Sequence, residues 1–186
     1  MNETLQTIKN RRSIRSFTEQ QIEHNDLQTI IEAAKYAPSG GGTQPWHFSI
    51  IQKKELIEAL SVASIEAAKS HEAEYIRELA NRRGFHAFYG APTLIVVSGV
   101  EKNVWSAADC AAATQNILLS AESLGLGACW VNFGLFVFGS ENSEQYKRLL
   151  KVPDGYKPLY SVALGYRKGN APAAAPRKEG TTSYVE

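Results

Sequence analysis

The sequence predicts a single α+β domain of 186 residues with an extended C-terminal arm. Three observations carry this expectation. TLIVV, from Thr93, is an unbroken run rich in β-branched residues, the pattern of a strand buried on both faces. Ser106–Leu124 (SAADCAAATQNILLSAESL) is a long alanine-rich helix with few charges. Beyond Gly165, the segment GYRKGNAPAAAPRKEGTTSYVE has no helical or strand period until its last few residues.

The remaining elements follow in order. A short helix is expected over Thr4–Lys9. Asn25-Asp26-Leu27-Gln28 reads as an N-cap with glutamine three residues on. Leu27, Ile30, Ile31 and Ala34 then line one face of a helix that stops before Pro38. A glycine loop leads into a strand over His47–Gln52. Lys53 to about Arg83 holds few breakers and reads as largely helical, and Phe85–Pro92 (FHAFYGAP) as an aromatic turn. Gly125 ends the alanine-rich helix. Ala128–Phe133 reads as a strand, Ser143–Leu150 as a helix and Leu159–Leu164 as a strand. The alanine-rich helix, if buried all round, is either a central core helix or a subunit seam. With the unpacked tail beside it, an obligate dimer is the favoured reading.

Composition excludes several function classes. The apolar fraction is 44% and the net charge is +1, so any strong anion site has to come from local clustering. No pull toward nucleic acid or an anionic membrane is expected. Cys110 and Cys129 are the only cysteines, too few for a disulfide framework and unlike any zinc spacing. Nothing in MNETLQTIKNRR resembles a signal peptide, and the most apolar run is far shorter than the ~20 residues of a membrane span. A soluble cytoplasmic protein is expected.

Four stretches can carry chemistry. In Arg11-Arg12-Ser13-Ile14-Arg15, the guanidiniums of Arg11 and Arg15 can converge on one anion, with Ser13 adding a hydroxyl and an N–H. A solvated basic turn is the alternative. In APSGGGTQPWHF, from Ala37, the glycines let backbone N–H groups approach a ligand with no Cβ in the way. No Gly-Lys-Ser/Thr follows, and the loop precedes rather than follows a strand, so neither nucleotide fingerprint applies. Gln44 and Trp46 beside it suit the edge of a flat heterocycle. Gly125-Leu126-Gly127 opens a third stretch, which helix-stop chemistry also explains. Pro176-Arg177-Lys178 adds two cations in the tail. His24, His47, His71 and His86 are scattered and form no metal motif, and no nucleophile motif is present. An enzyme built from these residues needs a bound cofactor.

As an ordered set, NRRSIRSF, APSGGGTQPWHF, FYGAPTLIVV, AADCAAATQNILLSAESLGLGACW and ALGYRKG…PRK resemble the FMN-dependent nitroreductase family over nearly the whole chain. The resemblance implies a nitroreductase-like fold, a central, mainly antiparallel sheet flanked by helices. It also implies an intertwined homodimer with FMN at the interface and residues 166–186 wrapping the partner. Carried over, it implies that Arg11, Arg12, Ser13 and Arg15 form the first flavin motif. Arg11 and Arg177, with Lys178 nearby, would neutralise the phosphate, and Arg15 would lie near the ribityl chain or pyrimidine edge. Pro38, Ser39 and Gly40 would come from the partner subunit, with Gln44 before Pro-Trp. Val131 and Asn132 would face flavin N5, and Gly165 would begin the turn toward the phosphate. Relatives often carry asparagine where this chain has Gly42.

The implied activity is hydride transfer from NAD(P)H to flavin N5, then reduction of a nitroaromatic, quinone or similar small acceptor by ping-pong turnover. Phe85, Phe88, Tyr89 and Phe133 would shape the acceptor site. Flavin reduction, dehalogenation, flavin fragmentation and non-catalytic flavin binding are the alternatives.

Overall fold

The computed structural model describes residues 2–186. Among these are six α-helices and four strands. The helices are α1 (Glu3–Asn10), α2 (His24–Lys35), α3 (Lys54–Ala68), α4 (Glu74–Asn81), α5 (Ser106–Ser123) and α6 (Ser143–Leu149). The strands are β1 (Trp46–Ile51), β2 (Thr93–Val100), β3 (Gly127–Trp130) and β4 (Tyr156–Gly165). They form one sheet in the order β1-β2-β4-β3, and every neighbouring pair is antiparallel.

β2 is central and buried on both faces, as its composition demands. Leu94 and Val96 face one core, with Ile57 and Leu60 of α3, Phe88, Cys129 and Ala163. Ile95 and Val97 face the other, with Leu27, Ile30 and Ala34 of α2 and Cys110, Ile117 and Leu118 of α5. Alternate residues of one strand therefore feed two layers, which is the period-2 rule at work.

Several boundaries differ from the sequence reading. α2 starts at His24, with Glu23 as N-cap and no side-chain cap bond, so the Asn25 capping box does not form. The long helix after Lys53 breaks between α3 and α4 without glycine or proline. His71 makes the break possible. Its ring packs on Phe136 at 5.1 Å, its Nδ1 accepts the Ala73 N–H at 3.0 Å, and Arg77 donates to the carbonyls of His71 and Glu72. Side chains thus satisfy backbone groups that a continuous helix would have paired.

β3 ends at Trp130, and Phe133–Gly139 coils into a 3₁₀ turn. β4 begins at Tyr156, earlier than expected, because a register shift lies between Val97 and Ser98 of β2. Pro158 pairs with Ser98 beside that irregularity, where a residue without an N–H is tolerated in a sheet. The final segment has no helix or strand. Its start is tied to the strap: the Tyr166 carbonyl accepts the Thr18 N–H at 2.9 Å, and the Lys168 N–H donates to the Ser16 carbonyl at 3.0 Å.

Candidate functional site: a basic strap, a glycine loop and an aromatic corner

The basic strap runs alongside β3. Ser13 bridges Ala128, and the Ile14 N–H donates to the Ala128 carbonyl at 3.0 Å. Farther on, Phe17 bridges Arg167. The two glycines of Gly125-Leu126-Gly127 have different causes. Gly125 takes φ +76° as the helix stop after α5. Gly127 lies directly under Ile14, and a Cβ there would stand 2.9 Å from Ile14 Cγ2. The strap needs a residue without a side chain below it.

Ser13 and Arg15 line one cavity, and both act with Arg11 on the Cys129 thiol of β3. Burial lifts the pKa of the Cys129 thiol, while Arg15, a hydrogen bond with Ser13, and Arg11 all pull it back down. Three separate groups therefore act on one sulfur. The Arg15 pKa is itself raised, first by its bond with the Tyr89 hydroxyl; its guanidinium lies 5.7 Å from the centre of the Tyr89 ring. Tyr89 adopts φ +59°, unusual for a tyrosine, so the FHAFYGAP turn holds this ring in a costly backbone conformation. Ser13, Arg15, Ser16, Arg167, Lys168 and Asn170 line a cavity of about 240 Å³. No carboxylate lines it; the nearest observed counter-charge is Glu122, 3.7 Å from Arg167.

Arg12 takes a different role from its neighbours. Its Nη1 donates to the carbonyls of Lys9 and Arg11, each at 2.7 Å, which caps the C-terminal end of α1. These bonds engage Nη1 alone, and the buried Nε has no partner among the described residues.

The glycine loop precedes β1. Gly40–Gly42 form a 3₁₀ turn with Gly41 at φ +60° and Gly42 at φ +67°. Gln44 is exposed and itself left-handed, at φ +47°, and its N–H donates to Ser39 Oγ at 3.0 Å. Asp109, which the sequence reading passed over, accepts from the Gly40 N–H. Pro38 is exposed; Ser39 and Gly40 are half-buried.

Val131 is buried and its N–H donates to the Ser161 carbonyl at 2.8 Å, so this amide is already spoken for within the sheet. Asn132 is exposed and accepts from Trp130 Nε1 at 2.9 Å. Gly165 is buried against Pro92 and Phe17, where a Cβ would come within 2.7 Å of the proline ring.

The aromatic residues divide. Phe85 and Phe133 meet edge-to-face at 4.8 Å, and Phe133 continues onto Phe136 at 5.0 Å. Both Phe85 and Phe133 are half-buried and remain at the surface of this corner. Phe88 is 1% exposed in the core, pressed against Gly134, and lines no open site. That assignment is corrected: core packing takes the ring. Arg177 and Lys178 lie exposed on the arm, and within one chain they are not drawn into the strap cavity.

Comparison with known proteins fixes the lineage. The sequence profile of the nitroreductase family matches residues 8–166. The chain belongs to the nitroreductase family. Its structure resembles that of a nitroreductase with bound FMN from Bacteroides fragilis, with TM-score 0.92 and 36% identity over 100% of both chains. A second nitroreductase with bound FMN, from Desulfitobacterium hafniense, gives TM-score 0.91 and 32% identity, again over 100% of both chains. Among curated nitroreductase relatives, an FMN reductase (NADPH) of Bacillus subtilis is 28% identical, spanning 100% of this chain and 74% of that protein. No helix among the described residues is long and apolar enough to cross a membrane.

Proposed function

We propose that this protein is a cytoplasmic, homodimeric FMN-dependent oxidoreductase that uses NAD(P)H to reduce a small nitroaromatic, quinone or similar acceptor by ping-pong turnover. Full-length likeness to two FMN-bound nitroreductases is the observation that carries the reading.

The residues present suit the cofactor. FMN ends in a phosphate bearing close to two negative charges. Arg11, Ser13, Arg15, Arg167 and Lys168 supply guanidinium, hydroxyl and ammonium donors beside a cavity lined by no acid. The flat ring needs backbone at close range. Gly41 and Gly42 offer it, since almost nothing would meet a Cβ at either position. Bound FMN would supply the redox chemistry, hydride transfer between NAD(P)H and the acceptor. The chain supplies binding and orientation.

In this reading Arg11 and Arg177 hold the phosphate, with Lys178 beside them. Arg15, beside the Tyr89 ring, lies at the ribityl chain or pyrimidine edge. A cation there favours the anionic reduced flavin over the neutral oxidised form. Pro38, Ser39, Gly40 and Gln44 reach the ring bound against the partner subunit. Asn132 borders N5. Phe85 and Phe133 shape the acceptor side.

The dimer has support in the surface. α1 buries no residue, and its Leu5 and Ile8 are 50% and 47% exposed. Beside it, α5 shows Ala107 and Ala108 to solvent, and a groove of about 660 Å³ runs between α1 and α5. Small residues on an open helix face let a second chain approach closely.

Anaerobic titration with NADH or NADPH tests the function. The purified protein is expected to be yellow, to bleach on reduction and to recover its colour when a quinone is added. A flavin band that ignores both nicotinamides would refute electron transfer from them.

A further inference from the structure

The glycine loop is anchored by a side chain that no step above uses. Asp109 sits in the first turn of α5 and is 7% exposed; each of its carboxylate oxygens lies 3.2 Å from the Gly40 nitrogen and accepts its N–H. Trp105, one turn earlier, packs on the same glycine. A Cβ on Gly40 would stand 3.1 Å from the indole Cγ and Cδ1. Gly40 is therefore gripped through its N–H and through its missing side chain.

The rest of the loop folds outward from that grip. The Gly42 N–H donates to the Ser39 carbonyl at 3.0 Å, Thr43 N–H to the Gly40 carbonyl at 3.3 Å, and Gln44 N–H to Ser39 Oγ at 3.0 Å. Among the described residues, Gly41 is then the one position from Gly40 to Gln44 whose N–H has no partner. Gly41 is exposed at φ +60°, and only Thr43 Cγ2, at 4.0 Å, lies near its absent Cβ.

Burying a carboxylate against one amide is an expensive way to close a turn. An ionised group taken out of water loses several kcal/mol that a single N–H does not return in full. The α5 N-terminus offsets part of this through its dipole. The neighbouring Cys110 thiol is pushed up to about 12, by burial first and by the Asp109 charge second. An apolar residue would stabilise the turn at lower cost but would not orient the peptide. The carboxylate is a device for direction.

We propose that Asp109 is a positioning residue of the flavin site: by fixing the peptide at Gly40 it presents the Gly41 N–H, as a hydrogen-bond donor, to the edge of the FMN ring across the dimer interface. This rests on the FMN-dependent function proposed above and adds to it a buried anion that sets the loop.

The test uses the full chain as wild type, Asp109→Ala and the same-shaped Asp109→Asn. Amide exchange at Gly40 is followed by NMR in flavin-free protein, and FMN affinity and the visible flavin spectrum are measured on reconstitution. In Asp109→Ala, Gly40 protection is expected to fall at least ~10-fold while the β2 amides keep theirs. The dissociation constant for FMN is expected to rise ~10-fold, the loss of one charged hydrogen bond, with a shifted flavin band. Asp109→Asn lies between, and carries the test alone if the alanine variant does not fold. Lost Gly40 protection with unchanged FMN affinity and spectrum would overturn the positioning role while leaving FMN binding intact. Unchanged Gly40 protection would also overturn it. A wild-type chain that takes up no FMN would remove the function and this role together.

Discussion

Cys110 is fully buried beneath β2, and its thiol pKa moves from 9.0 to about 12. The unfolded thiol ionises near 9.0, so from there to about 12 the unfolded chain binds fewer protons than the folded one. The stabilisation is complete below pH 9 and is lost as pH rises toward 12. Urea midpoints are expected to fall across that window, with a shallower slope in Cys110→Ala. At Gly42 the backbone stands at φ +67° with nothing within 4 Å of a Cβ, and asparagine is the side chain that best tolerates such a conformation. Gly42→Asn is expected to leave the melting temperature within ~2 °C of wild type and to tighten FMN binding by adding a side-chain contact. A weaker complex would deny the loop its place at the ring. Tyr89→Phe removes the hydroxyl that raises the Arg15 pKa. FMN affinity is expected to drop ~5-fold, the worth of about one hydrogen bond, and equilibrium titration measures it.

At the scale of elements, legibility followed how local the cause was. β2 and α5 announced themselves because burial on two faces and close helix packing write continuous patterns into the chain. The α3–α4 break was hidden because its cause is His71 meeting Phe136, a contact remote in sequence. The start of β4 was hidden because Pro158 reads as a strand breaker until the register shift makes room for it. Gly134 tests how tightly these elements fit. A Cβ there would lie 2.0 Å from Phe88 Cε1, and Phe88 has no space to withdraw into. Gly134→Ala is expected to cost about 2 kcal/mol, or roughly 4–8 °C in melting temperature, with calorimetry as the check.

At the scale of the molecule, the candidate site was legible as motifs and illegible as partnerships. Arg11, Ser13 and Arg15 stood out by charge and spacing; Ser13 and Arg15 line one cavity, and all three influence the Cys129 thiol. Arg12 looked the same in sequence, and its Nη1 also caps the α1 terminus. Asp109 was passed over as one acid on an alanine helix, since its role exists only once Gly40 folds back onto α5. Arg177 stays exposed on the arm because a single chain does not bring it to the strap. The dimer is the arrangement proposed to close that gap, drawing cations from both ends of the sequence to one phosphate. Removing two charge-assisted contacts is worth a factor of about 10² to 10⁴ in affinity. Flavin content of purified Arg11→Ala/Arg177→Ala is the most direct measurement: the double variant should emerge colourless from a preparation in which wild type is yellow. Full retention of FMN in that variant would contradict the shared phosphate site.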